Sequence, residues 1–292
     1  SGSVGSKVST ATNGGTSAFS GTSDTVAISI SAVNDAPLNT VPAAQTTAED
    51  TPLVITGLSV ADVDAGTGSM TVTLSVGHGT LAVTGGSATL AGSGTASVTL
   101  TGTLTQINAT LSAANAVTYT PTANYNGADT LTMVTSDGGN TGTGGTLSDT
   151  DTVAITVTAV NDAPVNTLPA LQITAEDTAL VITGLSIEDV DAGTSTMTVT
   201  LAVQHGTLAV TGGSAIIGGS GTGTVTLTGT KSAINATLSA TNGVTYTPAL
   251  NYNGADTLRM TTSDGGNSGG ATQSTASTVA LSIAPINDEI GR

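Results

Sequence analysis

The sequence predicts an all-β protein that consists of two tandem antiparallel Greek-key β-sandwiches, each carrying one short helix. Thr and Val, which favour strands, and Gly, which favours turns, are abundant, whereas the chain has one Phe and no Trp. Short segments alternate apolar and polar residues, which is the period of a half-buried strand. Most of the chain is also written twice, with corresponding residues such as Asp35 and Asp162 lying 127 positions apart. A repeat of this length has the size of a domain and is too long for a solenoid turn.

Copies of a short polar sequence mark the boundaries of the repeats. Ala-Val-Asn-Asp-Ala-Pro stands at residues 32–37 and again at 159–164, and a shortened copy, Pro-Ile-Asn-Asp, stands at 285–288. We interpret these copies as linkers between successive domains. The predicted organisation is a remnant of a preceding repeat (a flexible segment and a last strand) at residues 1–32, a first domain-sized repeat at 33–159, a second at 160–285, and the start of a further linker at 286–292.

Each repeat contains short runs with strand periodicity, separated by turns rich in Gly and Asn. In the first repeat these runs are residues 53–55, 72–76, 81–83, 97–101, 117–119, 131–133 and 153–157, and the second repeat has the same runs at the repeat offset. One segment has a helical period instead, because Leu104, Ile107 and Leu111 are spaced by three and four positions. It predicts one or two turns of helix packed on the sandwich, with a counterpart at residues 232–238.

Residues 24–30 copy residues 151–157, the last strand of the first repeat. We expect this strand either to stay unpaired or to pair with the sheet edge of another copy of the protein. The second outcome would allow assembly into fibres by strand exchange through residues 24–32.

The charge balance excludes several classes of function. The formal net charge is −16, with four basic residues, so nothing is available to neutralise the phosphates of a nucleic acid. No apolar stretch of about 18 residues is present, so we expect no membrane span in this fragment. The chain has no Cys, and therefore no disulfide stabilises the fold.

The acidic residues recur in a few short motifs beside Gly. Asp-Val-Asp-Ala-Gly, Ala-Glu-Asp, Gly-Ala-Asp and Ser-Asp-Gly-Gly each occur once in each repeat. Carboxylate and amide oxygens suit Ca²⁺, which takes roughly six to eight oxygen ligands, whereas zinc is disfavoured because the chain lacks Cys and has one His per repeat. Each motif is also a common turn sequence in which Asp forms an Asx-turn, so the pattern alone leaves a purely structural role open.

Taken in order, Val-Asn-Asp-Ala-Pro, Ala-Glu-Asp, Asp-Val-Asp-Ala-Gly, Asn-Tyr-Asn-Gly-Ala-Asp and Ser-Asp-Gly-Gly resemble the cadherin-like tandem repeats of giant bacterial surface proteins, including the repeats-in-toxin adhesins. The resemblance covers residues 33–285. In cadherins, calcium ions sit at the junction between successive domains. The resemblance therefore implies Ca²⁺ at each junction here, with fewer ions per junction than usual because this linker carries fewer acids.

Carried over motif by motif, the resemblance implies three groups of calcium ligands. Between the two repeats they are Glu49, Asp129, Asn161, Asp162, Asp189, Asp191 and Asp264. Before the first repeat they are Asn34, Asp35, Asp62, Asp64 and Asp137. After the second repeat they are Glu176, Asp256, Asn287 and Asp288.

The predicted function is that of calcium-rigidified extender repeats of a bacterial cell-surface adhesin, which hold a distal binding domain away from the cell. The expected partners are neighbouring repeats of the same chain and, through strand pairing, other copies of it. The alternatives are a subunit of an extracellular fibre or surface layer, a homophilic adhesion module, and, less favoured, an ice-binding protein with Thr ladders. An enzyme is not expected, because the four Tyr residues recur at the repeat offset, which is typical of packing, and duplicate active sites would be unusual.

Overall fold

The computed structural model describes residues 27–266 and 268–287. The described chain forms one series of strands and a helix, and then forms the same series again. The first repeat comprises β1 (Leu38–Thr40), β2 (Gln45–Ala48), β3 (Leu53–Ile55), β4 (Ser59–Ala61), β5 (Met70–Ser75), β6 (Gly79–Val83), β7 (Thr89–Ala91), β8 (Ser97–Gly102), α1 (Leu104–Leu111), β9 (Val117–Pro121), β10 (Gly127–Ser136) and β11 (Ser148–Thr158).

The second repeat has the same order of elements. They are β12 (Val165–Thr167), β13 (Gln172–Ala175), β14 (Leu180–Val181), β15 (Ser186–Glu188), β16 (Met197–Ala202), β17 (Gly206–Val210), β18 (Ile216–Gly218), β19 (Thr224–Gly229), α2 (Lys231–Leu238), β20 (Val244–Pro248), β21 (Gly254–Ser263) and β22 (Ser274–Ala284). The predicted all-β class with two sandwich domains and one short helix in each is confirmed.

Each repeat packs a large sheet against a smaller one. In the first repeat the six-stranded sheet has the order β2-β11-β10-β5-β8-β7, the three-stranded sheet has the order β3-β9-β6, and β1 pairs with β4. All pairs are antiparallel except β2 with β11, which run parallel. This exception matters for the site, because it brings the end of β2 beside the end of β11, where the linker to the second repeat begins.

The strand periodicity in the sequence sorts side chains into the core. Along β5, Met70, Val72 and Leu74 are fully buried while the alternating residues are half-exposed. Each repeat has its own apolar core, centred on a fully buried Tyr: Tyr119 in the first repeat and Tyr246 in the second. Each sandwich therefore has the apolar interior expected of an independent domain.

The two helices begin at threonine N-caps. The Thr103 side chain accepts a hydrogen bond from the backbone N–H of Gln106, and the Gln106 side chain accepts one from the backbone N–H of Thr103, which is a capping box. In the second repeat Thr230 caps α2, which begins one residue earlier than predicted, at Lys231. Ile107 and Leu111 face the core, as their spacing predicted.

The sequence did not predict four of the short strands in the first repeat. The strands β1, β2, β4 and β7 have only three or four residues each and no clear alternation. Residues 24–26 of the predicted N-terminal strand lie outside the described residues, and residues 27–32 form no strand with the rest of the described chain. Within the described part of the chain, neither helix has the length and apolarity needed to cross a membrane.

Candidate functional site: the acidic joint between the repeats

The linker between the repeats is held by acidic side chains from both sides. The backbone N–H of Val160 donates to Glu49 Oε1 at 2.6 Å, and the backbone N–H of Asp162 donates to Asp191 Oδ2 at 2.5 Å. Glu49 belongs to the first repeat and Asp191 to the second. We call this region the central joint: linker residues 159–164 with the acidic and amide side chains that surround them.

The base of the first repeat supplies Glu49, which is only 1% exposed. Its position follows from the parallel pairing of β2 with β11, and its backbone N–H donates to the carbonyl of Thr158 at 2.9 Å. Its second carboxylate oxygen accepts a hydrogen bond from Asn126 Nδ2 at 3.2 Å. The next residue, Asp50, has the left-handed φ of 58°, and its side chain accepts from the backbone N–H of Asn124 at 3.0 Å.

The top of the second repeat supplies three more acids. The Oδ1 atom of Asp189 accepts from the backbone N–H groups of Asp191 and Ala192, both at 2.9 Å, so that the Asp-Val-Asp-Ala-Gly segment closes on itself. Asp264, which is fully buried, accepts from the Asn161 amide at 2.5 Å. The linker, the loop after β15 and the loop after β21 therefore meet at one place.

Two buried oxygen atoms at the central joint have no hydrogen-bond donor. They are Asn161 Oδ1 and Asp189 Oδ2, and their residues are 6% and 4% exposed. Burying a polar atom without a partner costs free energy comparable to a lost hydrogen bond. Both atoms can only accept, so a cation, or donors from water, would satisfy them.

The Asn124 side chain of the first repeat also lies between two of the acids. The polar end of the Asn124 side chain lies 3.1 Å from Asp162 Oδ2 and 3.3 Å from Asp50 Oδ2. If the amide nitrogen faces these carboxylates, it donates to both; if the oxygen faces them, three acceptor oxygens converge. The first orientation satisfies all three groups with hydrogen bonds, whereas the second would suit a bound cation.

The electrostatics of the central joint reflect uncompensated negative charge. Burial, followed by the charges of Asp191, Asp50, Glu49 and Asp189, raises the pKa of Asp162. Burial also raises the pKa of Asp189, although hydrogen bonds from two backbone N–H groups oppose it. Both shifts mean that the environment disfavours the charged carboxylate.

The acids surround the linker without forming a compact carboxylate cluster. Within residues 27–266 and 268–287, no three Asp, Glu or His side chains stand close enough together to make a metal-binding group by themselves. This finding is compatible with the raised pKa of Asp162, because two carboxylates repel each other over distances longer than those that separate the ligands of one ion. A calcium ion here would need amide, backbone carbonyl or water oxygens in addition to carboxylates.

The other two predicted groups repeat this arrangement. At the top of the first repeat, Asn34 donates to Asp137 at 2.5 Å, the N–H of Asp35 donates to Asp64 at 2.8 Å, and Asp62 Oδ2 is buried without a donor. At the base of the second repeat, Glu176 accepts from the backbone N–H of Ile286 at 2.7 Å and from Asn253 at 3.1 Å. Asn287 is exposed, and Asp288 lies outside the described residues.

Two predicted ligands have a different place in the structure. Asp129 accepts hydrogen bonds from the backbone N–H groups of Gly77, His78 and Thr130 at 2.7–2.9 Å and from the hydroxyl of Tyr119 at 2.8 Å. Asp256 accepts the corresponding bonds in the second repeat. We call this arrangement the tyrosine–aspartate clasp; because it occupies both oxygens of each carboxylate, we leave Asp129 and Asp256 out of the ligand set proposed below.

Sequence reasoning did not single out Asp50, Asn124 or Asn126 at the central joint. The signals were present: Asp50 follows Glu49 in the recurring Ala-Glu-Asp motif, and the two Asn residues flank Tyr125 in the recurring Asn-Tyr-Asn-Gly motif. Their counterparts at the base of the second repeat are Asp177, Asn251 and Asn253. Nothing local to either motif shows that the two come together, since they are 74 residues apart.

The structurally similar proteins are mainly cadherin extracellular repeats. The crystal structure of human mucin-like protocadherin EC1-2 is 12% identical with a TM-score of 0.36, covering 86% of this chain and 98% of that one. The structure of mouse cadherin-23 EC22-24 is 16% identical with a TM-score of 0.34, covering 87% of this chain and 66% of that one. An endo-fucoidan hydrolase from glycoside hydrolase family 107 is 16% identical with a TM-score of 0.25, and only 29% of that chain is covered. No protein-family model and no curated protein sequence matches the chain.

Proposed function

We propose that these are calcium-rigidified extender repeats of an adhesin on a bacterial cell surface, which hold a distal binding domain away from the cell. The observation that carries the proposal is the pair of buried, donorless oxygens, Asn161 Oδ1 and Asp189 Oδ2, at the place where the two repeats meet. The bacterial, extracellular setting is supported by the resemblance of the motif order to bacterial cadherin-like repeats.

The proposed ligands at the central joint come from three parts of the chain. They are Glu49, Asp50 and Asn124 from the base of the first repeat, Asn161 and Asp162 from the linker, and Asp189, Asp191 and Asp264 from the top of the second repeat. The proposal extends to half-sites before the first repeat, at Asn34, Asp35, Asp62, Asp64 and Asp137, and after the second, at Glu176, Asp177 and Asn287, with Asp288 included on its position in the sequence alone. Bound calcium would supply the positive charge that these oxygens lack.

The mechanism is a change in bending stiffness at the linker. Two like unit charges about 4 Å apart repel by about 1 kcal/mol in water and about 4 kcal/mol at the effective dielectric near a protein surface. Without a cation, the acids of the two repeats therefore push the domains apart around a linker of a few residues. With calcium bridging both sides, the repeats are held as one rod.

Each repeat also adds length. The strand β10 has 10 residues, which span about 34 Å, and successive repeats joined end to end would add reach of that order. Extracellular calcium modules typically bind with dissociation constants of about 10⁻⁴ to 10⁻³ M, so these sites would fill outside the cell and stay empty inside it.

The test measures stability and shape together. Thermal unfolding and small-angle X-ray scattering are recorded with calcium and with chelator for the wild type and for the double variant Asp189→Asn/Asp191→Asn. We expect calcium to raise the Tm and extend the wild-type molecule, and the double variant to respond to neither. Asp151→Asn is the matched control, because it removes a carboxylate of β11 outside the joint. A wild type with the same Tm and the same scattering profile in calcium and in chelator would refute the proposal.

A second candidate is assembly by strand exchange through residues 24–32. The observation in its favour is that Ile28 and Ile30, which copy the buried Ile155 and Val157 of β11, are 84% and 90% exposed. Pairing with a sheet edge of another copy would bury them. Size measurement at high concentration decides this case: Ile28→Asp/Ile30→Asp would abolish assembly if exchange occurs, and a wild type that stays monomeric rules it out.

A further inference from the structure

The central joint contains an ion pair that the first repeat lacks. The ammonium group of Lys231 donates to Glu188 Oε2 at 3.0 Å and to the backbone carbonyl of Asp189 at 3.0 Å. It is the only salt bridge in the described part of the chain, which carries just one other Lys or Arg side chain, Arg259. In a protein with a formal net charge of −16, one of the few cations thus lies directly beside the acids of the joint.

The pair is placed by the elements that carry the site. Glu188 ends β15 and is followed immediately by Asp189, while Lys231 is the first residue of α2. Together with Asp162 and Asn124, these residues line a cavity of about 730 Å³ that spans both repeats. Lys231 and Asp189, whose buried Oδ2 has no donor, therefore line the same cavity.

The contact to the Asp189 carbonyl fixes the segment that presents the acids. Asp189 Oδ1 already accepts hydrogen bonds from the N–H groups of Asp191 and Ala192. The backbone carbonyl of Asp189 is the further acceptor through which this turn can be held. With the carbonyl anchored by Lys231, Asp189 Oδ2 is left aimed at the joint. Anchoring groups of this kind raise metal affinity because the site loses less conformational freedom when the ion binds.

The charge of the pair does not oppose binding. Lys231 brings one positive charge near the site, but the Glu188 carboxylate at 3.0 Å offsets it. The net field at the joint is therefore close to that of a site with neither residue. The positional effect of the hydrogen bond remains after the charges cancel.

The first repeat offers an internal comparison. The residues that correspond to Glu188 and Lys231 are Ala61 and Leu104, which can form no ion pair. The turn that carries Asp62 and Asp64 thus has the same acids and no cationic anchor. The corresponding turns of the two repeats therefore differ in this ion pair, and the central joint has in addition Glu49, Asp50 and Asn124 from the preceding repeat.

We propose that Lys231, supported by Glu188, is a positioning residue that gives the central joint a higher calcium affinity than the same joint would have without the pair. This inference rests on the proposed function, since it concerns the calcium affinity of the same site. Its consequence is that joints with and without the pair fill at different calcium concentrations. A chain of such repeats would stiffen in steps as calcium rises, with the anchored joints first.

The test removes the ion pair from the second repeat and, in a separate variant, introduces it into the first. Calcium titration calorimetry is performed on the wild type, on Glu188→Ala/Lys231→Leu, and on Ala61→Glu/Leu104→Lys, with Asp189→Asn identifying the central-joint site. We expect the first double variant to weaken that site roughly tenfold, and the reciprocal variant to leave it unchanged. Lys231→Arg, which keeps the charge and the donor, should restore affinity to within about twofold.

The Tm and the calcium titration together separate the outcomes. The Tm in chelator should be nearly equal for the wild type and the first double variant, because an exposed ion pair contributes little to folding. An unchanged or tighter central-joint site in Glu188→Ala/Lys231→Leu overturns the inference and leaves the proposed function intact. A wild type that takes up no calcium overturns both.

Discussion

The tyrosine–aspartate clasp gives the sharpest prediction about folding, and it separates two roles for one residue. In Asp129→Ala the carboxylate that accepts from Gly77, His78, Thr130 and Tyr119 is lost. If Asp129 is a clasp, the variant should destabilise the first repeat with or without calcium. If Asp129 is a calcium ligand, the loss should appear only when calcium is present.

The magnitude follows from the number and depth of the hydrogen bonds. Bonds to a charged acceptor contribute about 1.5–3 kcal/mol each, and donors left buried without a partner cost more than the bond itself. Asp129 is 6% exposed, but the Gly77-His78 turn beside it is open to water, which can replace part of what is lost. We therefore expect a loss of about 2–4 kcal/mol rather than the full sum, which for a domain of this size lowers the Tm by roughly 10 °C.

The dependence on pH has a definite sign. Burial would raise the pKa of Asp129, but hydrogen bonds from Tyr119 and from backbone N–H groups outweigh it and hold the pKa below its usual value. The stabilisation by the carboxylate is therefore complete above the unfolded-state pKa of about 3.9 and is lost as the pH falls through the lower folded-state value. The difference between wild type and Asp129→Ala should be largest near pH 7 and shrink below about pH 4.

Differential scanning calorimetry in chelator is the assay, with Asp256→Ala as the matched variant. Each substitution should shift the transition of its own repeat and leave the other in place. A normal transition for Asp129→Ala in chelator, combined with a reduced response to calcium, would refute the clasp and restore Asp129 to the ligand set.

Two further predictions concern the joint and the turns. Burial and neighbouring acids raise the pKa of Asp162 and Asp189, so these groups stabilise the folded state below the unfolded-state pKa of about 3.9 and lose this contribution as the pH rises through their higher folded-state values. In chelator, the Tm should therefore rise as the pH is lowered from 7 towards about 4, and calcium should flatten this trend; an unchanged Tm would contradict the reasoning. Gly86 has a φ of 67°, and an added Cβ would collide with Thr110, so Gly86→Ala should cost about 3 kcal/mol in urea unfolding. Gly94→Ala, with open space around it, should cost about 1–2 kcal/mol for its backbone conformation alone.

The candidate site was only partly accessible from sequence. Glu49, Asp162, Asp189 and Asp191 could be singled out because their motifs recur next to turn residues. Asp50 and Asn124 could not, since their role depends on a contact between segments 74 residues apart. Asp129 carries the same kind of motif as the joint acids, yet the structure places it in the clasp, where four donors surround it.

The local features of the fold were determined by the sequence itself. Alternation decided which residues of β5 face the core, the three-and-four spacing of Leu104, Ile107 and Leu111 decided the helix, and the 127-residue offset decided that there are two domains. Each of these depends on residues close together in the chain, or on simple repetition. They require no knowledge of which strand pairs with which.

Only the tertiary structure decided the geometry of the central joint, because that geometry depends on pairing between segments that are distant in the sequence. The parallel contact of β2 with β11 places Glu49 beside the linker, although the paired residues are 110 positions apart. The same kind of long-range placement brings Lys231 to the carbonyl of Asp189 and leaves Asn161 Oδ1 and Asp189 Oδ2 without donors. The sequence contains the oxygens of the joint, but only folding brings them close enough to repel one another.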